Sequence, residues 1–538
     1  MSWGPQAAAR AVRVAWAQRP ALGRVPDAPA IPVRDPWPGD AGRGARLLRD
    51  EMEAWGTAWP LSPGGWANTD GPPALRIAAH GFGWLRDLRM LGTDAARTRA
   101  RQLVSGWIGV PRHEALASRP DVAGARIAAW LGHYDFFAAS ADDAFRRPLM
   151  ARLVMDARLL AARLPGEAID GRMLTALKGL IAAGVALPEH GPALARGLRL
   201  LPPELARQIL PDGCHAERSP AAHLAALQDL CEIRALLQAA RCPAPTVLTT
   251  AIERMAPALR ALRHGDGGLV LFNGTWDGTG READAALIEL VLTQAGRGGR
   301  APSGLTEGGF HRLQAGRSVL VLDGGPPPPP GLDSRAHAGT LSVELSVGRD
   351  RVVVNCGAAP VVLRSETDWS GAARATAAHS TLVVADTNSS ELRPHGLGRH
   401  PRVVEVQRQE ANGAHWLEAS HDGYAYAFGA THRRRLYMAE SGEDIRGEDV
   451  IEAPEPHAFA VRFHLHPDVQ ATPHEDGESV TLRLPGGSTW RFRSEGAPAV
   501  VEESVYLGEP HPRPAKQIVL AASASEAQQV KWALTKVG

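Results

Sequence analysis

Tyrosine is scarce in this chain of 538 residues: it occurs five times, at 134, 424, 426, 437 and 506, so a proton-transferring phenol has few addresses. Cysteine is scarcer still. Cys214, Cys231, Cys242 and Cys356 form no CxxC pair, which in a chain this long excludes a disulfide framework and reads as reduced thiols. A charge excess of either sign is missing too. The formal net charge of +1 excludes a general nucleic-acid or membrane-surface binder that works by bulk charge. No apolar run reaches the length of a membrane-spanning helix. Arg10 and Arg13 interrupt the stretch where a signal peptide needs unbroken apolar residues, so the cytoplasm is the expected location. There is no GxSxG elbow, no GK[ST] phosphate loop and no evident Cys/His arrangement, which leaves acyl transfer and nucleotide chemistry without support. Lysine is scarce beside arginine, whose planar fork suits carboxylate recognition.

What is present divides by period. Hydrophobic residues make up 44% and charged residues 22%, ordinary for a globular protein, and the length calls for more than one core. From about 40 to 300 the pattern is helical. Phe145, Leu149, Leu153 and Leu160 fall at the spacing of one buried helix face, and MLTALKGLIAAGVAL, AAHLAALQDLCEIRALL and READAALIELVLTQ continue it. Short Gly/Pro-containing links predict antiparallel helix pairs, in a solenoid or a closed ring. Beyond about 304 the period becomes two. In TLSVELSV, Leu341, Val343, Leu345 and Val347 alternate with Ser342, Glu344 and Ser346, and GRD turns into RVVVNCG. VTLRLPGGSTWRFR repeats the hairpin, so an antiparallel sandwich is expected. The expected organisation is an N-terminal extension over 1–40, a helical domain over 41–303 and a β domain over 304–538. PPPPP at 326–330 reads as a stiff surface loop inside the β domain, because GRSVLVLDGG before it is strand-like.

Several segments group chemistry-bearing residues. PDGCHAERSPAAH carries His215, Glu217, Arg218 and His223, with Ser219 as N-cap and Pro220 as first helical residue. Its plainer alternative is a capping loop with one packed histidine. HGDGGLVLFNGTWDG supplies Asn273 and Trp276, suited to sugar hydroxyls and a sugar face, or to an ordinary aromatic staple. In the β half, SHDGYAYAFGATHRRRLYM holds His421, Tyr424, His432, Arg433 and Tyr437. His464 and His466 share a strand face and could bind a metal, but no third ligand follows from spacing. Glu448 and Asp449 in RGEDV read as turn carboxylates. RATAAHSTLVVAD delivers His379 to the head of an apolar strand, as a cleft imidazole or as a strand-end residue.

FGWLRDLRMLG, the helical half with PDGCHAERSPAAH, AHSTLVVADTNSS and SHDGY…HRRRLYM together resemble the heparinase II/III-like polysaccharide lyases over most of the chain. The resemblance implies an (α/α) toroid followed by an antiparallel β-sandwich, with substrate in the cleft between them. It implies β-elimination on a uronic-acid polysaccharide, which needs a group to neutralise the C6 carboxylate, a base for the C5 proton and an acid for the departing O4. His379 matches the family's β-domain histidine. His223 matches the histidine of the Tyr-His pair, with Ala222 in the tyrosine's place, so Tyr424 or Tyr437 would have to stand in for the phenol. Gly171 and Arg172 stand where the family has Asn-His, and Arg172 could neutralise a carboxylate. His215, Glu217, Asn273, Trp276, His432 and Arg433 complete the candidate substrate-binding set. No cofactor is required. Ala377 and Thr381 flank His379 without forming an HxH pair there, so a structural divalent metal has no support at that position.

Three functions follow in order. The first is a lyase acting on an acidic polysaccharide. The second is a non-catalytic glycan-binding or scaffolding relative that has lost the family's Tyr and Asn/His. The third is a hydrolase pairing Glu217 with Asp212 or Asp266. By family resemblance the cell envelope or periplasm is the alternative location.

Overall fold

The computed structural model describes all residues except 1–4, 20–24, 68–69, 112–113, 167–169, 189, 279, 297–298, 359–368, 523–527 and 538. The first twenty residues, where Arg10 and Arg13 argue against a signal peptide, fall partly outside the described residues; Pro5–Ala17 is helical. The chain divides into two compact units, one of residues 1–207 and 226–252, the other of 208–225 and 253–538.

The first unit is helical. In the helix Asp143–Arg163, Leu149, Leu153 and Leu160 are buried as their spacing requires, and Asp142 caps the first turn by accepting from the Phe145 N–H. The helices Pro120–Gly132 and Met173–Ala186 lie in unusually close contact because each carries a glycine at the crossing. A Cβ added at Gly179 would come 2.3 Å from the Gly124 backbone, and one at Gly124 would come 2.6 Å from the Thr175 carbonyl. Met173–Ala186 is buried along its length, and that burial includes a cation. Lys178 Nζ sits 2.7 Å from Asp229 and 2.9 Å from Glu232. These carboxylates hold the ammonium charged, its pKa raised against the cost of burial.

The second unit is built on two antiparallel sheets. The larger sheet runs, in spatial order, Ala499–Tyr506, Arg513–Ala522, Phe459–Leu465, Asp350–Val354, Val343–Val347, Ser318–Asp323, Phe310–Ala315 and Gly304–Leu305, with Leu382–Val384 pairing beside Phe459–Leu465. The other runs Val404–Ala411, Ala414–Tyr424, Ala430–Met438, Asp444–Glu452, Gln529–Val537, Thr489–Glu495, Ser479–Arg483 and Gln470–Pro473. Leu320, Leu345, Phe463 and Ile518 of the first sheet share one core with Leu417, Leu436, Phe492 and Trp532 of the second, the inner layer of a sandwich. The proline run lies on the connection between Ser318–Asp323 and Val343–Val347, which pair directly, so it interrupts no sheet. The polar residues of TLSVELSV, Ser342, Glu344 and Ser346, are buried along with the apolar ones they alternate with. Glu344 accepts from His264 Nε2 at 2.8 Å, from Leu271 N–H at 3.0 Å and from Asn355 N–H at 2.8 Å. The strand is covered on both faces, and its Glu344 carboxylate is satisfied from within.

Candidate functional site

The 211–219 loop is set by Asp212, which accepts from Cys214 N–H through one oxygen and from Glu307 and Gly308 N–H through the other. Gly213 has φ +85°, and a Cβ there would meet the Arg254 carbonyl at 2.1 Å, so only glycine fits the turn. Ser219 Oγ accepts from Ala222 N–H at 3.4 Å and opens the helix Pro220–Ala239. In this frame His215 Nδ1 accepts from Glu217 N–H at 3.2 Å, and its Nε2 donates to Gln208 Oε1 at 2.8 Å. His223 Nδ1 accepts from His215 N–H at 3.3 Å, and its Nε2 donates to the Met255 carbonyl at 2.9 Å. Burial pushes the His223 pKa down to about 4. Glu217 is buried and pairs with Arg335 Nε at 3.3 Å.

A hydrogen-bonded relay leads from this loop to His379. Asn273 Nδ2 donates to the Arg218 carbonyl at 2.9 Å, and its Oδ1 accepts from His337 N–H at 3.1 Å. The His337 Nε2 accepts from Gly274 N–H at 3.1 Å, which leaves the proton on Nδ1. That Nδ1–H donates to His379 Nε2 at 3.1 Å, with the rings T-shaped at 80°. The His379 Nδ1–H donates in turn to the Ala375 carbonyl at 2.8 Å. Fixed backbone donors and acceptors at the two ends assign both tautomers. Both rings are buried. Burial pushes His379 down to about 4 and His337 further below its ordinary range. Gly339 makes room for this packing, since a Cβ there would come 2.6 Å from His379 Cδ2.

The strand following His379 is held just as firmly. Ser380 Oγ donates to the Val354 carbonyl at 2.7 Å, and Asn355 Oδ1 accepts from Ser380 N–H. Arg434 donates to the Ser380 carbonyl at 2.9 Å and to the Leu341 carbonyl at 2.8 Å. His464 Nε2 donates to the Ala377 carbonyl at 2.9 Å, and its Nδ1 lies 2.8 Å from Ser504 Oγ. His466 is buried against the Tyr506 ring.

A second relay runs through the sandwich core. His421 Nδ1 accepts from Gly423 N–H at 3.0 Å, and its Nε2 donates to His432 Nδ1 at 3.4 Å. His432 Nε2 donates to Asp449 at 2.8 Å, where Arg434 and Trp532 Nε1 also donate. Glu448 and Asp449, expected in a turn, lie in the strand Asp444–Glu452. Asp449 points inward because this network satisfies it, and Arg434 holds its carboxyl below the usual range despite burial.

The remaining candidates scatter. Tyr424 is fully buried and donates to the Leu382 carbonyl at 2.9 Å. Burial pushes its phenol above the ordinary range. Tyr437 and Arg433 occupy the outer face of the strand Ala430–Met438, whose inward positions are His432, Arg434 and Leu436. Tyr437 packs on Trp416 at 5.2 Å, and Arg433 pairs with Glu418 at 2.6 Å and Glu452 at 2.8 Å. Trp276 is half-buried in its turn. Arg172, in the first unit, is exposed at the head of Met173–Ala186 and donates through Nε to Asp170 at 2.7 Å. Asp266 is engaged by Gly268 N–H and Arg351, and Asp212 by backbone, so no free carboxylate pair is formed by the residues considered for hydrolysis. Among the described residues no group of three His, Cys, Asp or Glu side chains is arranged to hold a metal. Also among them, no helix is long and apolar enough to cross a membrane.

His337 is the participant that sequence reasoning misses. Its only sequence signal is its setting in AHAG, a histidine among small residues as in AAHS around His379.

The chain thus combines a helical unit with a two-sheet β unit in which His379 heads a strand. Family models agree: residues 112–290 match the heparinase II/III N-terminus and 297–533 the heparinase II/III-like C-terminal domain. The chain belongs to the heparinase II/III-like family. Its fold is the (α/α) toroid plus β-sandwich of a crystal structure of heparinase III, with a TM-score of 0.74 at 14% identity over 98% of this chain and 89% of that one. Heparan sulfate lyase HepC from Pedobacter heparinus gives 0.62 at 16% identity, over 98% and 87%. A curated relative from Caulobacter vibrioides, FtsZ-localized protein C, is 31% identical over 528 residues, 93% of this chain and 89% of the relative.

Proposed function

We propose that this chain is a non-eliminating member of its family, a glycan-binding or scaffolding protein that shares an FtsZ-associated role with its Caulobacter relative. One observation carries the reading: the lone pair that His379 would need as a base already accepts a hydrogen bond from His337. General-base catalysis needs an available lone pair within reach of the substrate proton. His223 has both ring nitrogens engaged and the Tyr424 hydroxyl donates to a carbonyl, so neither supplies a substitute. An acidic polysaccharide remains the ligand class that the family suggests, and the cytoplasm remains the location in this reading.

The test mixes purified protein with a panel of uronic-acid polysaccharides and follows ultraviolet absorbance of the conjugated 4,5-unsaturated product. Wild type is expected to give none. Product formation that disappears in His379→Ala would overturn the reading and restore elimination. That second reading is favoured by the match of both family domains. Co-sedimentation with FtsZ polymers tests the shared role: the chain is expected in the pellet, and its absence there would remove that part of the proposal.

A further inference from the structure

The outer face of the second sheet carries a groove away from the His337–His379 relay. Its volume is about 680 Å3, and it is lined by Trp416, Tyr437, Arg446, Ala533 and Arg493, with Arg435, Glu448, Lys531 and Glu495 alongside. Strand register explains how these residues meet. Trp416 faces Tyr437, Tyr437 faces Arg446, Arg446 faces Ala533 and Ala533 faces Arg493, so one straight row crosses five strands. At the usual spacing between strands the row spans about 19 Å, the reach of about six residues of extended chain.

The neighbouring row is built differently. Glu418, Arg435, Glu448, Lys531 and Glu495 also stand opposite one another, and they neutralise each other in sequence. Arg435 reaches Glu418 at 2.6 Å and Glu448 at 2.8 Å, and Lys531 reaches Glu495 at 3.5 Å. The first row has no such closure. Its aromatic end exposes Trp416 at 41% against the tilted Tyr437 ring. Its basic end holds Arg446, paired only along its own strand with Asp444 at 2.7 Å, and Arg493, which has no carboxylate partner among the described residues. Ala533 between the two arginines keeps the floor low.

We propose that this row docks an acidic peptide segment, with an apolar side chain on Trp416 and Tyr437 and carboxylates on Arg446 and Arg493. Tryptophan, tyrosine and arginine are the residues that dominate binding energy at protein interfaces, and arginine clusters read acidic motifs. The separation of the two ends selects a peptide over an acidic glycan. A polysaccharide that repeats its charge needs cations along its whole length, whereas the arginine beside the aromatic pair, Arg435, is already taken by two glutamates. A peptide can place apolar and acidic residues in separate blocks. This inference stands on the sheet surface alone and is independent of whether His379 eliminates.

Fluorescence anisotropy of the full chain with a labelled synthetic peptide, a leucine pair followed by a run of glutamates, tests it. A control peptide replaces the glutamates by lysines, and a uronic-acid oligosaccharide serves as competitor. The glutamate peptide is expected to bind, weakening with salt, and Trp416→Ala and Arg493→Glu are each expected to weaken it about tenfold, the usual effect of removing one interface anchor. Both positions are on the exposed sheet face, and circular dichroism of the variants checks that the fold is kept. Equal binding of the two peptides, or no effect of either substitution in a folded variant, would overturn the proposal. So would Trp416-dependent binding of the oligosaccharide without binding of the peptide.

Discussion

Acid should unfold the sandwich unit before the helical one. His223, His311 and His379 are held by burial at about 4, and His464 and His466 at about 3, against an ordinary value of 6.5. All five lie in the second unit. Because the folded values lie below the unfolded one, the unfolded chain binds more protons in between. The stability these neutral imidazoles carry is therefore complete above about pH 6.5 and is lost as pH falls toward the folded values. At pH 5 each loses about 2 kcal/mol, and the five together about 10 kcal/mol, comparable with the whole stability of an ordinary domain. Asp277, pushed up to about 7 by burial against the pull of Arg351, has the opposite sign and returns about 2 kcal/mol over the same range. The first unit carries only His80 and His133 with shifts of this kind among its described residues. Urea titrations at pH 7, 6 and 5, read by limited proteolysis with peptide mapping, follow the two units separately. Second-unit peptides should lose protection at much lower urea as pH drops, with first-unit peptides lagging. His379→Gln should flatten the second-unit slope by about one proton, or about 1.4 kcal/mol per pH unit. A second-unit midpoint unchanged from pH 7 to 5, or a first unit that fails earlier, would refute the assignment of neutral buried imidazoles.

Other perturbations have equally definite outcomes. Lys178→Met leaves Asp229 buried without its cation and Glu232 with only Arg86 at 3.6 Å and should cost about 3–5 kcal/mol in urea unfolding, most of it recovered when Asp229 is also made an amide. Gly339→Ala forces a methyl against the His379 ring and should cost about 1–3 kcal/mol, with changed imidazole NMR shifts for His337 and His379. Tyr424→Phe strands the Leu382 carbonyl in the core and should cost about 1–3 kcal/mol, and it should leave peptide binding at Trp416 unaltered.

The two halves are legible in the sequence because their periods differ, and a period survives whatever the far side of the element packs against. Leu149, Leu153 and Leu160 announce a buried helix face, and VTLRLPGGSTWRFR announces the hairpin that pairs Ser479–Arg483 with Thr489–Glu495. Which face of a strand is wet is less legible. Ser342, Glu344 and Ser346 sit at polar positions that alternation assigns to solvent, yet His264, Leu271 and Asn355 bury Glu344 from remote positions in the chain. The strand Ala430–Met438 misleads in the same way. Its inward set includes His432 and Arg434, and Tyr437 lies outward, so polarity alone assigns the residues to the wrong sides. The parity is decided by Asp449, which belongs to another strand.

The same remoteness governs the site. His379 is conspicuous in AHSTLVVAD, but its partner His337 lies 42 residues earlier, and no local pattern joins them. A histidine motif reads alike whether its lone pair faces a substrate or another imidazole. What separates a working base from a packed one is where each nitrogen's hydrogen bond ends, and that count requires the tertiary contacts. Here it runs from Gly274 N–H through His337 and His379 to the Ala375 carbonyl without an open position. His379 is thus buried with both ring nitrogens engaged. Breaking the relay at His337, by His337→Ala, frees the His379 lone pair. Elimination that appears only in that variant would show that the relay itself holds the base inactive.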